Sequence, residues 1–205
     1  MIIGERFVWL HFPKCAGTEI ENILRRHFNE DKNFHFDEID PRNVIWHQNI
    51  DERKRLDPGF DISGRDVICA FRRLPHWLLS RVHFEKGRNP EIVVTREMFV
   101  RGQFFETANL VIAADYYAKK YTTVPVNRWI RTEHARSDFE AVFSEYLDLS
   151  NINLDKEMQK KNANRFGYIN DIEFYFTAAE LKNLYDMNPV WRDLEREVYG
   201  DILSI

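Results

Sequence analysis

Phe7 to Leu24 reads FVWLHFPKCAGTEIENIL. Phe7 to Phe12 is a nearly unbroken apolar run, the pattern of a strand covered on both faces, as in a parallel sheet. Pro13 stops further pairing through its own nitrogen. After Gly17, the residues Ile20, Ile23, Leu24 and Phe28 recur at helical spacing and predict an amphipathic helix. Thr18 and Glu21 fit a Thr-x-x-Glu capping box, which sets the helix start at the end of the loop. A strand, a short loop and a helix N-terminus in that order favour an anion, through unpaired amides and the helix dipole. Gly17 allows close approach, Lys14 adds a positive charge and Thr18 a hydroxyl. The loop is not a Walker A sequence, because its lysine precedes its glycine.

The same pattern of strand then helix recurs outward from this stretch. Val67 to Phe71 reads as a second buried strand, followed by Arg72 and Arg73 and by a helix from Pro75 through Trp77, Leu78, Arg81 and Val82. Val44-Ile45-Trp46 reads as a short strand ending at His47, after a turn at Asp40-Pro41. Residues 95–120 read as helix in one or two pieces, and Val124 to Thr132 as a strand. Ser137 to Glu140 reads as a capping box opening a helix through Leu147, Thr177 and Glu180 as a box opening another, and Val190 to Tyr199 as the last helix. Strands alternating with helices predict an α/β fold with a parallel sheet.

The 205 residues suit one domain, 1–205, with a sizeable and ring-rich core that draws on 16 phenylalanines. A net charge of −4 argues against a broad nucleic-acid surface but allows a local basic pocket. No run is apolar enough for a membrane span, and MIIGERFVWLHF reads as the start of the fold rather than a signal peptide. Two cysteines, Cys15 and Cys69, imply no disulfide framework and a cytoplasmic setting. No Cys/His spacing for zinc is present.

HFPKCAGTEI closely resembles the 5′-phosphosulfate loop of sulfotransferases that use 3′-phosphoadenosine 5′-phosphosulfate (PAPS). The branch it resembles holds the carbohydrate sulfotransferases and their bacterial relatives. The resemblance implies a three-layer, P-loop-NTPase-like α/β fold with a central parallel sheet flanked by helices. It assigns Lys14 to the bridging oxygen between phosphate and sulfate, with Cys15, Ala16, Gly17, Thr18 and Glu19 in the cofactor-binding loop. Glu19 departs from the family, which has Ser or Thr there. The second family signature is an arginine with a serine eight positions on, both binding the 3′-phosphate. VICAFRRLPHWLLS supplies it as Arg72 and Ser80. Arg73 keeps the family's Arg-x-Pro spacing, so it is the rival to Arg72. Arginine offers a fork of donors and serine a hydroxyl, which is what a phosphate needs. NRWIRTEHARSDFEAVF and the C-terminal IEFYFTAAELKNLYDMNPVWRDLEREVYG also resemble the family. Glu133 falls in the former, and Arg165 lies in a loop that relatives bring over the nucleotide.

The reading is a PAPS-dependent sulfotransferase acting on a hydroxyl acceptor, a carbohydrate or another small molecule, with no metal required. His47 is the candidate base, since an acceptor hydroxyl must lose a proton as it attacks. His11 and Glu19 are its rivals, and His11 reads as buried and hydrogen-bonded against the core. Two alternatives are a non-catalytic protein that binds PAPS or its spent form, and a P-loop-like small-molecule kinase. The acceptor pocket is expected from residues 29–65 and 85–105, near the carboxyl ends of the strands.

Overall fold

The computed structural model describes residues 1–39, 45–158 and 167–205. In chain order the elements are β1 (Ile2–Ile3), β2 (Phe7–Leu10), α1 (Gly17–Phe28), β3 (His35–Phe36), a 3₁₀ turn (Ile45–His47), α2 (Ile50–Leu56) and β4 (Asp66–Phe71). Then come α3 (Leu74–Arg88), α4 (Arg96–Val100), β5 (Gln103–Thr107), β6 (Leu110–Ala113) and α5 (Asp115–Tyr121). Last are β7 (Arg128–Arg131), a 3₁₀ turn (Thr132–His134), α6 (Ala135–Phe143), α7 (Leu154–Glu157), α8 (Ala178–Met187) and α9 (Pro189–Tyr199). The chain divides into two compact units, Met1–Phe71 with Tyr121–Lys161, and Arg72–Lys120 with Asn162–Ile205.

The first unit is α/β, with an open five-stranded sheet in the order β3-β1-β2-β4-β7. Its centre is parallel: β2 pairs with β4, and β4 with β7. The sheet as a whole is mixed, because β1 runs antiparallel to both β2 and β3. The expected parallel sheet is thus found at the centre and is mixed at one edge. The cause is local: the Gly4 N–H donates to Phe7 O, and a tight turn joins only antiparallel neighbours. All four residues of β2 are buried, as an interior strand covered on both faces requires. Phe7 and Trp9 share one face, where both rings meet Phe143 of α6. Asp138 at the start of α6 accepts from the backbone and guanidinium of Arg131, fastening that helix to β7.

The second unit packs α3, α5, α9 and the hairpin β5–β6 around Trp77, whose ring meets Phe104, Tyr117 and Trp191. The predicted helix over 95–120 is in fact α4, a hairpin and α5. Gly102, at φ 69°, ends α4 in a conformation that favours glycine. A Cβ there would meet the buried Asn188 amide at 2.3 Å. β-branched Val111 and Ile112 then favour a strand. α8 opens on the predicted Thr177–Glu180 capping box, and α9 follows at Pro189.

Other local expectations need correction. Ile45–His47 is a 3₁₀ turn, not a strand end. Its carbonyls bond outside any ladder: Trp46 O accepts from the Met1 ammonium and His47 O from Tyr121. α6 opens at Ala135, two residues before the expected box, and Ser137 Oγ donates back to His134 O. Val44, Asp40-Pro41 and Arg165 lie outside the described residues. Among the described residues no helix is long and apolar enough to cross a membrane.

Candidate functional site

The loop begins where β2 ends. Phe12 is fully buried and stacks on Tyr121, with ring centroids 4.6 Å apart. Lys14 has φ 68° and Ala16 φ 59°, while Cys15 and Gly17 stay out of the positive-φ region. A left-handed conformation costs a non-glycine residue roughly 1–2 kcal/mol, and such residues concentrate at ligand clamps. Alternating hands along the backbone form a concave nest of N–H groups that suits an anion. α1 follows at once. Glu19 N–H donates to Ala16 O at 3.0 Å, and helix geometry leaves the Gly17 and Thr18 amides without an intrahelical acceptor. Lys14 is half-buried, Thr18 exposed and Glu19 intermediate. Cys15 is buried, so it fills the loop from beneath.

The expected capping box at Thr18 and Glu21 is not formed. The cap of α1 is Ala16, with no side-chain hydrogen bond. The helix starts at Gly17, so Glu21 is its fifth residue and lies too far along to reach back. Glu21 is instead buried on the core face with Ile20, Ile23 and Leu24. Its Oε1 lies 2.9 Å from His11 Nδ1. The His11 ring covers Gly17 so closely that a Cβ there would fall 2.6 Å from Cδ2 and 2.7 Å from Nε2. Gly17 is therefore needed for close approach to an imidazole; its φ is ordinary.

His47 is brought to the same place. Its Nδ1 lies 3.1 Å from His11 O. A carbonyl only accepts, so Nδ1 carries the proton, and in the neutral ring Nε2 holds the lone pair. The rings of His11 and His47 meet edge to face at 4.4 Å, and Trp46 lies against both. Tyr121 donates to His47 O at 2.7 Å. His47 is thus held by backbone on one side and a phenol on the other.

The parallel register aligns Leu10 with Cys69, so β2 and β4 finish level, and the rings of Phe12 and Phe71 touch at their ends. Arg72 and Ser80 belong to the second unit, where both are half-buried. Arg72 precedes α3, and its carbonyl accepts from Trp191 Nε1 at 3.2 Å. Arg73 is committed elsewhere. It pairs with Glu195 at 3.2 Å and Asp201 at 2.6 Å, and its guanidinium sits over the Tyr199 ring. Glu195 also accepts from Leu74 N–H, Tyr185 and Leu203 N–H. Burial pushes its carboxyl up, against the pull of these donors.

Sequence reasoning missed Glu21 and Tyr121 as parts of this site. A carboxylate four residues after Gly17, on an otherwise apolar helix face, was the available signal, since such a group needs a buried partner. Nothing in the sequence signals Tyr121. Among the described residues no group of three or more His, Cys, Asp or Glu side chains is arranged around a metal. No family model, curated protein or solved structure matches the chain.

Proposed function

We propose that the protein is a PAPS-dependent sulfotransferase. The observation that carries the reading is the loop: left-handed Lys14 and Ala16 bracket Cys15 just before α1, and one of the two is a lysine. Backbone strain at that place suits a fixed negative ligand. The Arg72–Ser80 spacing supports the same donor, with Arg72 proposed for the 3′-phosphate; Arg73 is held by Glu195 and Asp201. The parallel β2-β4-β7 centre with a loop and helix after β2 also supports the finer fold reading, a P-loop-NTPase-like architecture.

In this mechanism the loop amides and Lys14 bind the 5′-phosphosulfate. An acceptor hydroxyl oxygen attacks sulfur in line, the bond from sulfur to the bridging oxygen breaks, and the hydroxyl proton passes to His47 Nε2. The electron pair stays on the phosphate oxygen, where Lys14 balances the growing charge. The products are the sulfate ester and 3′-phosphoadenosine 5′-phosphate.

The test is mass-spectrometric detection of sulfate transfer from PAPS across a panel of carbohydrate and phenolic acceptors. Lys14→Ala is expected to lower kcat by about 10²–10³-fold, the usual cost of one donor to developing charge. Transfer of phosphate from ATP instead would overturn the reading. Donor binding with no transfer to any acceptor would leave a non-catalytic nucleotide binder.

A further inference from the structure

The proposed transfer leaves the His11–Glu21 pair without a task. Both side chains are in the core, 3% and 1% exposed. Taking a carboxylate out of water is costly unless it is well paired. Yet His11 Nδ1 and Glu21 Oε1, although 2.9 Å apart, form no aligned hydrogen bond with any described residue. An under-satisfied buried pair calls for a reason beyond packing.

Its placement supplies one. Gly17 and Glu21 stand four residues apart, on one face of α1, and both face His11. The ring lies against Gly17, where the anion loop becomes helix. The same residue's carbonyl faces Nδ1 of His47. One residue therefore touches the loop through its side chain and the candidate base through its backbone.

We propose that Glu21 and His11 are positioning residues that couple the anion loop to the base. Across 2.9 Å the Glu21 carboxylate favours the proton of His11 on Nδ1 by charge. The ring fills the space over Gly17 and seats the start of α1. The carbonyl of His11, held by the same packing, keeps His47 with its lone pair on Nε2. A displaced His11 disturbs the amide nest and the base together. This rests on the sulfotransferase reading for the reaction served, though not for the coupling itself.

The experiment uses the full chain with ¹⁵N-labelled histidine, whose ring-nitrogen shifts report the tautomer, alongside calorimetry with 3′-phosphoadenosine 5′-phosphate and sulfate-transfer kinetics. Wild type is expected to show His47 protonated on Nδ1. Glu21→Ala is expected to mix the His47 tautomers, weaken nucleotide binding, and lower kcat by about 10–100-fold, the scale of an ångström-sized misplacement. Glu21→Gln keeps an oxygen facing Nδ1 and is expected to recover most of each loss. His11→Asn keeps a donor toward Glu21 but uncovers Gly17. It is expected to weaken nucleotide binding while leaving the His47 tautomer in place, and it serves if Glu21→Ala does not fold. An unchanged His47 tautomer in Glu21→Ala, or unchanged nucleotide affinity in His11→Asn, overturns the coupling whatever the reaction is. A wild type that shows the expected tautomer but transfers no sulfate overturns the enzyme reading alone, and the tautomer and affinity shifts still decide the coupling.

Discussion

The Pro13–Thr18 loop and the Arg72–Ser80 stretch each follow a central strand of the sheet, but they are shaped by different means. The loop is a backbone device, with two left-handed residues, helix amides and a glycine pressed against an imidazole. The second stretch is a side-chain device braced from α9: Trp191 holds the Arg72 carbonyl, and Glu195 holds Arg73 and the first amide of α3. A grip made of amides tolerates many side-chain changes and few changes of backbone space. A grip made of an arginine depends on the neighbours that orient it.

The sharpest way to break this contrast is Gly17→Ala. The added Cβ meets the His11 ring at 2.6 Å, and overpacking of that kind costs about 1–3 kcal/mol. Because the strain falls on the amides themselves, nucleotide binding measured by calorimetry is expected to drop by about 100-fold. Combining it with His11→Ala relieves the clash, so the double variant should bind better than the two single effects predict, a coupling of contacting residues. Additive losses would show that the ring does not set the loop.

The adjacent arginines sharpen the second half of the contrast. Arg72→Ala is expected to weaken binding of 3′-phosphoadenosine 5′-phosphate by about tenfold or more, as a lost charge-assisted bond does. Arg73→Ala takes the charge partner from the buried Glu195 carboxylate, and urea unfolding should show a loss of about 3 kcal/mol. If Arg73→Ala abolishes nucleotide binding without changing stability, the assignments are exchanged.

The smallest effect separates two carboxylates that respond to pH in opposite senses. Burial raises the Asp138 carboxyl, but the hydrogen bonds from Arg131 outweigh it and hold the group below its ordinary 3.8. Its stabilisation is present above that value and is lost as pH falls through the folded value. Burial pushes Glu195 above its ordinary 4.5. The folded state then binds the extra proton, so this group's contribution weakens as pH rises from 4.5 through its folded value. Denaturation curves against pH should therefore flatten on the acid side in Asp138→Asn and lose the opposite slope in Glu195→Gln.

Much of this was legible in the sequence. The apolar run Phe7–Phe12 specified a buried strand because only an interior strand hides both faces. Pro13 and Gly17 specified a loop, and the spacing of Ile20, Ile23 and Leu24 specified the helix after it. Arg72 and Ser80 came into view only through the resemblance to the sulfotransferase signature, and their contact with a phosphate is a proposal. The hairpin at 103–113 was hidden, because its turn carries no Asn-Gly or Asp-Gly signal and its apolar residues also fit a helix.

Residue types and local spacing fix what a short segment prefers, and they determined the strand, the loop after it and its lysine. Only the tertiary structure decided where Glu21 lies, what holds Arg73, and why position 17 must be glycine. Each of those depends on a partner far along the chain or on another element: His11 for Glu21 and Gly17, Glu195 and Asp201 for Arg73, and Tyr121 for the backbone of His47. Contacts of that kind arise from packing in three dimensions, which periodicity along the chain does not encode.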